Sequence, residues 1–141
     1  MAIHFFVENI SFKLTNALKV RRWIKEIILQ ENYQLGELNF IFCNDEYLHK
    51  INVEYLAHDD YTDIITFDNS DEKNLIEGDI FISVERVKEN AQNLQVSFEQ
   101  ELQRVIIHGV LHLLGYQDKA PQEQAQMRAK EDEALKLFQT I

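Results

Sequence analysis

The stretch from Ser97 to Gly115, SFEQELQRVIIHGVLHLLG, constrains this chain more than any other. Placed on a helix at about 100° per residue, Phe98, Leu102, Val105, Ile106, Gly109 and Leu113 fall on one side as an apolar stripe that has to be buried. Ser97 with Gln100 reads as a capping box that opens the helix, and Gly115 suits its end. Such a helix needs a second layer to cover it. Four short runs rich in β-branched and aromatic residues supply a sheet.

The first run, Ile3 to Val7, is followed by a helix from about Asn16 to Glu31, in which Ala17, Val20, Ile24, Ile27 and Ile28 recur at helical spacing. ELNFIFC is the second strand, with Gly36 punctuating its start. Asn44 or Asp45 then caps a helix to about Tyr55, with Leu48 and Ile51 facing inward. TDIITFD and EGDIFIS are two more strands, joined by the polar loop Asn69 to Asn74 and expected to be neighbours. VERVKENAQNLQ is helical, and Pro121 stands near the start of a charged final helix ending around Phe138. The expected fold is α+β: a single domain over residues 1–141, with one mixed sheet of about four strands packed with about five helices.

A chain of 141 residues that is 45% hydrophobic has material for one ordinary core, and no repeat or low-complexity segment divides it. The single cysteine, Cys43, has no internal partner and reads as a buried strand thiol. No apolar run reaches the length of a membrane span, and MAIHFFVENISFK lacks the pattern of a signal peptide, so a cytoplasmic chain without membrane contact is expected. A net charge of −10 opposes indiscriminate binding to nucleic acid. One basic cluster, Lys19, Arg21, Arg22 and Lys25, is a candidate RNA contact that could override this locally; its plain alternative is a solvated helix face.

His108 and His112 lie together at the edge of the apolar stripe, one turn apart. Side chains at that spacing approach within about 6 Å and can share an ion, although two such histidines can equally be hydrogen-bonded core residues. A helix alone offers two good ligands. With Gly115 in a left-handed conformation the chain turns back and lets Asp118 approach the same point. His-x-x-x-His-x-x-Gly-x-x-Asp is then a coherent three-ligand motif, in which Asp118 competes with a role as helix cap. Two nitrogens and one carboxylate suit a single zinc ion, Zn2+, with water in the fourth position. An anionic third ligand makes the ion less electrophilic and the site less selective for zinc.

His4 and His49 have no partner in sequence and read as ordinary residues, while His58, beside Asp59, Asp60 and Asp63, could line the same cleft. In zinc metallopeptidases the residue after the first histidine is the glutamate base, and here it is Gly109. Glu101 shares the histidine face but sits about 10 Å along the axis from His108, a poor substitute.

HGVLHLLGYQD resembles the H-G-x-L-H-L-x-G-Y-D-H signature of the YbeY family, bacterial single-strand-specific endoribonucleases linked to 16S ribosomal RNA 3′-end maturation and ribosome quality control. NVEYLAHDDYTDIITF is similar to the family's N-x-x-Y-R-x-K-D-x-P-T-D-V-L-S-F, and EGDIFIS to its G-D-I-x-I-S strand. The resemblance implies a zinc-dependent endoribonuclease with single-stranded RNA, a 16S precursor, as substrate and the ribosome or its small subunit as partner. It makes His108 and His112 zinc ligands and places Asp118 where the family usually has a third histidine and Gln117 where it has aspartate.

Leu56 stands in the place of the family's arginine, an apt phosphate clamp, and His58 and Tyr61 replace its lysine and proline. Arg86, Arg104 and Lys119 are candidates to take over the arginine's role. Asp63 is the candidate general base, or else a structural hydrogen-bonding group. Tyr55, Tyr61 and Phe67 are candidates for stacking on bases, or else core aromatics. Two other readings remain open: a metallopeptidase-like hydrolase, and a non-catalytic ribosome assembly factor whose metal is structural.

Overall fold

The computed structural model describes residues 2–57 and 61–141. Strand β1 (Ala2–Val7) leads to helix α1 (Ala17–Gln30), strand β2 (Gln34–Cys43), helix α2 (Asp45–Leu56) and strands β3 (Ile64–Asp68) and β4 (Leu75–Ser83). Helices α3 (Val84–Leu94), α4 (Phe98–Leu113) and α5 (Pro121–Thr140) complete the chain. The sheet has four strands in the order β1-β2-β4-β3. β1 with β2 and β2 with β4 are parallel, while β3 and β4 pair as an antiparallel hairpin. The expected α+β fold is what forms, with one mixed sheet of four strands and five helices among the described residues.

β2 departs from its expected start. It begins at Gln34 and passes through Gly36, because Leu35 pairs with Ile76 and Leu38 with Gly78, leaving one extra residue on β2. Gly36 lies inside this bulge, where an added Cβ would come within 2.6 Å of the Glu77 carboxylate.

The two central strands are apolar on one face; on the other, Glu37, Asn39, Glu77 and Asp79 give way to Ile41, Cys43, Phe81 and Ser83 toward the C-terminal ends. On one side Leu38, Phe40, Phe42, Ile80 and Ile82 pack with Trp23 and Ile24 of α1, Val87 of α3, Ile106 and Val110 of α4 and Phe138 of α5. On the other, α2 alone covers Cys43 and Ile65 with Leu48 and Ile51. β3 is an edge strand lying between α2 and α4, with Ile64 in the larger core and Ile65 in the smaller. Three concavities open around this edge.

Candidate metal centre

The Ser97 hydroxyl accepts the Gln100 backbone N–H at 3.1 Å, starting α4 where its sequence calls for a cap. The buried face of α4 then rests on β3 and β4. Gly109 makes that approach possible: a Cβ there would lie 2.8 Å from Ile64 Cδ1 and 3.0 Å from Ile80 Cγ2. The position that holds the base in a metallopeptidase therefore faces the sheet, and a glutamate does not fit there. Flanking that contact and one turn apart, His108 and His112 project from the rim, their Nε2 atoms 3.0 Å apart.

The helix stops by a left-handed turn. Gly115 has φ +104°, its N–H donates to His112 O at 3.0 Å, and the Tyr116 N–H donates to Leu111 O at 3.0 Å. The chain folds back, and the Tyr116 hydroxyl anchors it by donating to Glu31 Oε1 at 2.7 Å. Asp118 is thereby carried to the histidines, with Oδ2 3.7 Å from His108 Nε2. One ligand atom from each of His108, His112 and Asp118 lies within 4.8 Å of the others. Ligand atoms about 2.0–2.1 Å from a tetrahedral zinc stand about 3.3 Å apart, so these residues fit a divalent ion with little adjustment.

Glu131, on α5, was not singled out by sequence. It is buried, 5% exposed, and accepts from His108 Nδ1 at 2.7 Å and from an Arg104 guanidinium nitrogen at 2.7 Å. Holding the proton on Nδ1 leaves Nε2 free to ligate. Its signal was there to be read: Met127, Glu131, Ala134 and Phe138 form the buried stripe of α5, and a carboxylate on an apolar stripe needs a partner.

Burial pushes the His108 imidazole down, but its hydrogen bond to Glu131 and the charges of Glu131, Asp118 and Asp63 outweigh this and raise it. His112 goes the other way, lowered by burial and then by the positive charge of His108. Glu131 is raised by burial but held below its ordinary value overall by His108 and Arg104. Proton affinity is thus distributed unequally across the cluster, with His112 the readier of the two imidazoles to be neutral.

The three candidate ligand residues open onto a cleft of about 450 Å³ whose walls include Asn52, Leu56 and Asp63. Asp63 accepts from the Asn90 amide at 3.2 Å, and burial raises its carboxyl above the usual range. A smaller cavity of about 250 Å³ joins Asp63 and His108 to Glu101 and Arg104. Glu101, set aside on its distance along the helix axis, is 6% exposed and raised by burial and then by the nearby Asp63 charge. What axial spacing cannot foresee is that Asp63, just ahead of β3, lines the same cavity as both.

Leu56, set by the resemblance in the place of an arginine, presents an apolar wall to this cleft and is 39% exposed. Two of the three candidate replacements are already engaged. Arg86 pairs with Asp45 at 2.9 Å and Glu89 at 3.3 Å, and Arg104 with Glu131 at 2.7 Å and Asp132 at 2.8 Å. Lys119 is exposed beside Asp118.

The basic cluster lies on α1, packed against α5 and β2. Lys19 sits over the Phe138 ring and Arg21 over Phe5, while Arg22 and Lys25 are exposed; none of the four lines the metal cleft. Tyr61 stacks on His49 at 4.3 Å, and Tyr55 and Phe67 lie on the far side of α2. His4 pairs with Glu37 at 2.9 Å, and His58, Asp59 and Asp60 fall outside the described residues.

The family profile described as "Endoribonuclease YbeY" matches residues 6–139. The chain belongs to the YbeY family. Among similar YbeY proteins, that of Christiangramia forsetii is 54% identical over 136 residues, covering 96% of this chain and 94% of the relative. That of Cytophaga hutchinsonii is 53% identical over 135 residues, again covering 96% of this chain and 94% of the relative. Both carry the name "Endoribonuclease YbeY". A solution structure of a Thermotoga maritima protein, TM1509, superposes with a TM-score of 0.69 at 25% identity, covering 96% of this chain and 88% of that one. The YbeY fold is therefore present over nearly the whole chain.

Proposed function

We propose that this chain is a metal-dependent endoribonuclease that hydrolyses phosphodiester bonds of single-stranded RNA, with one zinc ion held by His108, His112 and Asp118. The observation that carries the reading is this ligand set at the mouth of an open cleft in a chain of the YbeY family. A divalent ion bound there would polarise a phosphoryl oxygen and lower the pKa of a water.

The protein's own groups prepare the site. Glu131 fixes the ring and tautomer of His108, and Gly115 returns the chain so that Asp118 completes the set. Asp63 faces the same cleft, and its raised pKa brings it nearer the working pH expected of a general base. With Leu56 apolar, Lys119 is the exposed cation beside the ligands that stands ready to meet phosphate. Arg22 and Lys25, exposed on α1, and Arg86, beside Tyr61, are more distant candidates for holding RNA outside the cleft. The substrate we assign is the 16S ribosomal RNA precursor near its 3′ end, acted on at the small subunit in the cytoplasm during maturation and quality control; this follows the family resemblance. Among the described residues no helix is long and apolar enough to cross a membrane.

The test is metal analysis of purified protein together with cleavage of a 16S precursor 3′ end. About one equivalent of metal is expected, with cleavage lost on chelation and in His112→Ala. Nicking that survives both would sink the reading. Unfolding on metal removal, with no cleavage in the loaded protein, would instead favour a structural metal.

A further inference from the structure

Across the last turn of α2 from the metal cleft lies a second concavity of about 470 Å³, walled by aromatic rings. Tyr47 and Phe81 are stacked at 6.5 Å, Phe81 meets Phe67 edge-on at 5.8 Å, and Phe67 meets Tyr55 edge-on at 6.1 Å. The first three rings are half-buried, cover the smaller core and hold one another in place. Tyr55 is different: it is 69% exposed, standing at the rim with its ring available.

The polar lining is sparse and specific. Asp79 accepts the Asn39 amide at 2.9 Å and the Asn69 amide at 3.3 Å, which positions its carboxylate and leaves lone pairs for a further donor. Glu54 and Asp79 outweigh Lys50 in charge, so the concavity repels phosphate and favours the uncharged part of a nucleotide.

Its place in the fold links it to the reaction. Consecutive residues divide between the two clefts: Ile51 and Tyr55 line this one, Asn52 and Leu56 the metal cleft, and on β3 Phe67 lines this one and Thr66 the other. A single strand crossing the end of α2 would present a phosphate to one side and a base to the other.

We propose that this concavity is a nucleobase-binding site, which seats one unpaired base of the RNA substrate stacked on Tyr55 with an N–H edge toward Asp79. The proposal rests on the nuclease reading for its ligand and deepens it. An aromatic ring at the rim with a hydrogen-bonding group behind it is how single strands are held without pairing.

The test uses metal-loaded full-length protein and the four uncharged ribonucleosides, followed by ¹⁵N–¹H NMR. Nucleosides have no phosphodiester to cut and no charge to draw them to the metal. Saturable shifts are expected at Tyr55, Asn69, Asp79 and Phe81, with affinity about fivefold or more weaker in Tyr55→Ala and restored in Tyr55→Phe. Tyr55 is exposed enough that melting temperature should hold in both variants. Three results overturn the proposal: no saturable shift in this concavity, as expected if a protein segment occupies it; shifts confined to the His108 and His112 region; or equal affinity in Tyr55→Ala. Cleavage of single-stranded RNA, measured in parallel, separates the two claims. Cleavage without nucleoside binding removes the base site alone, and nucleoside binding without cleavage removes the nuclease reading alone.

Discussion

Glu131 on α5 accepts a hydrogen bond from His108 Nδ1 on α4 at 2.7 Å, joining two residues 23 apart in the chain at the candidate metal centre. Replacing Glu131 with glutamine preserves shape but removes the anionic acceptor that sets the His108 tautomer. Zinc affinity is expected to fall about 10- to 100-fold, read by competition with a chromophoric chelator, with the circular dichroism spectrum retained. An affinity within twofold of the parent would show that this partner does not tune the site.

Gly115→Ala introduces a Cβ at φ +104°, a backbone region that L residues avoid. A loss on the order of 1–3 kcal/mol is expected in urea unfolding. Metal binding should suffer as well, because the same turn delivers Asp118. Asp118→Ala is the comparison: it should drop metal content below one equivalent while leaving urea stability near the parent value, whereas Asp118→His should retain the metal.

Glu101 is buried and carries a pKa raised first by that burial and then by the Asp63 charge. Ionisation is therefore penalised in the folded state, and stability declines as pH rises from the unfolded value of about 4.3 through the folded one. Glu101→Gln, which cannot ionise, is expected to be more stable than the parent at pH 7. The gain should vanish below about pH 4, where both side chains are neutral. A pH-independent difference between their melting curves would contradict this account.

Cys43 is fully buried, and burial pushes its thiol up to about 12, with Asp45, Glu8 and Glu85 adding to the effect. A thiol so placed is neither a nucleophile nor a metal ligand at neutral pH. Native protein should resist a disulfide reagent at pH 8, and one equivalent should react on unfolding in urea. Fast native labelling would show that the smaller core opens readily.

The sequence by itself determined whatever depends on near neighbours in the chain. The apolar spacing of α4, its start at Ser97, its end at Gly115 and the one-turn separation of His108 and His112 all follow from helical geometry, which repeats every 3.6 residues whatever surrounds it. The strands were legible for the same reason, since β-branched and aromatic runs between polar turns leave few alternatives; the bulge at Gly36 and the early start of β4 at Leu75 escaped, because both are defined by the partner strand.

What remained belonged to the tertiary structure. The order β1-β2-β4-β3 puts β3 at the edge beside α4, so that Asp63, just ahead of β3, lines one cavity with His108 and Glu101. Packing of α5 on α4 brings Glu131 to His108 and engages Arg104, while α1, with its basic residues, lies against α5 and β2 instead. Contacts between distant residues depend on which layers meet and which side chains must share a buried space, and no local periodicity encodes that choice.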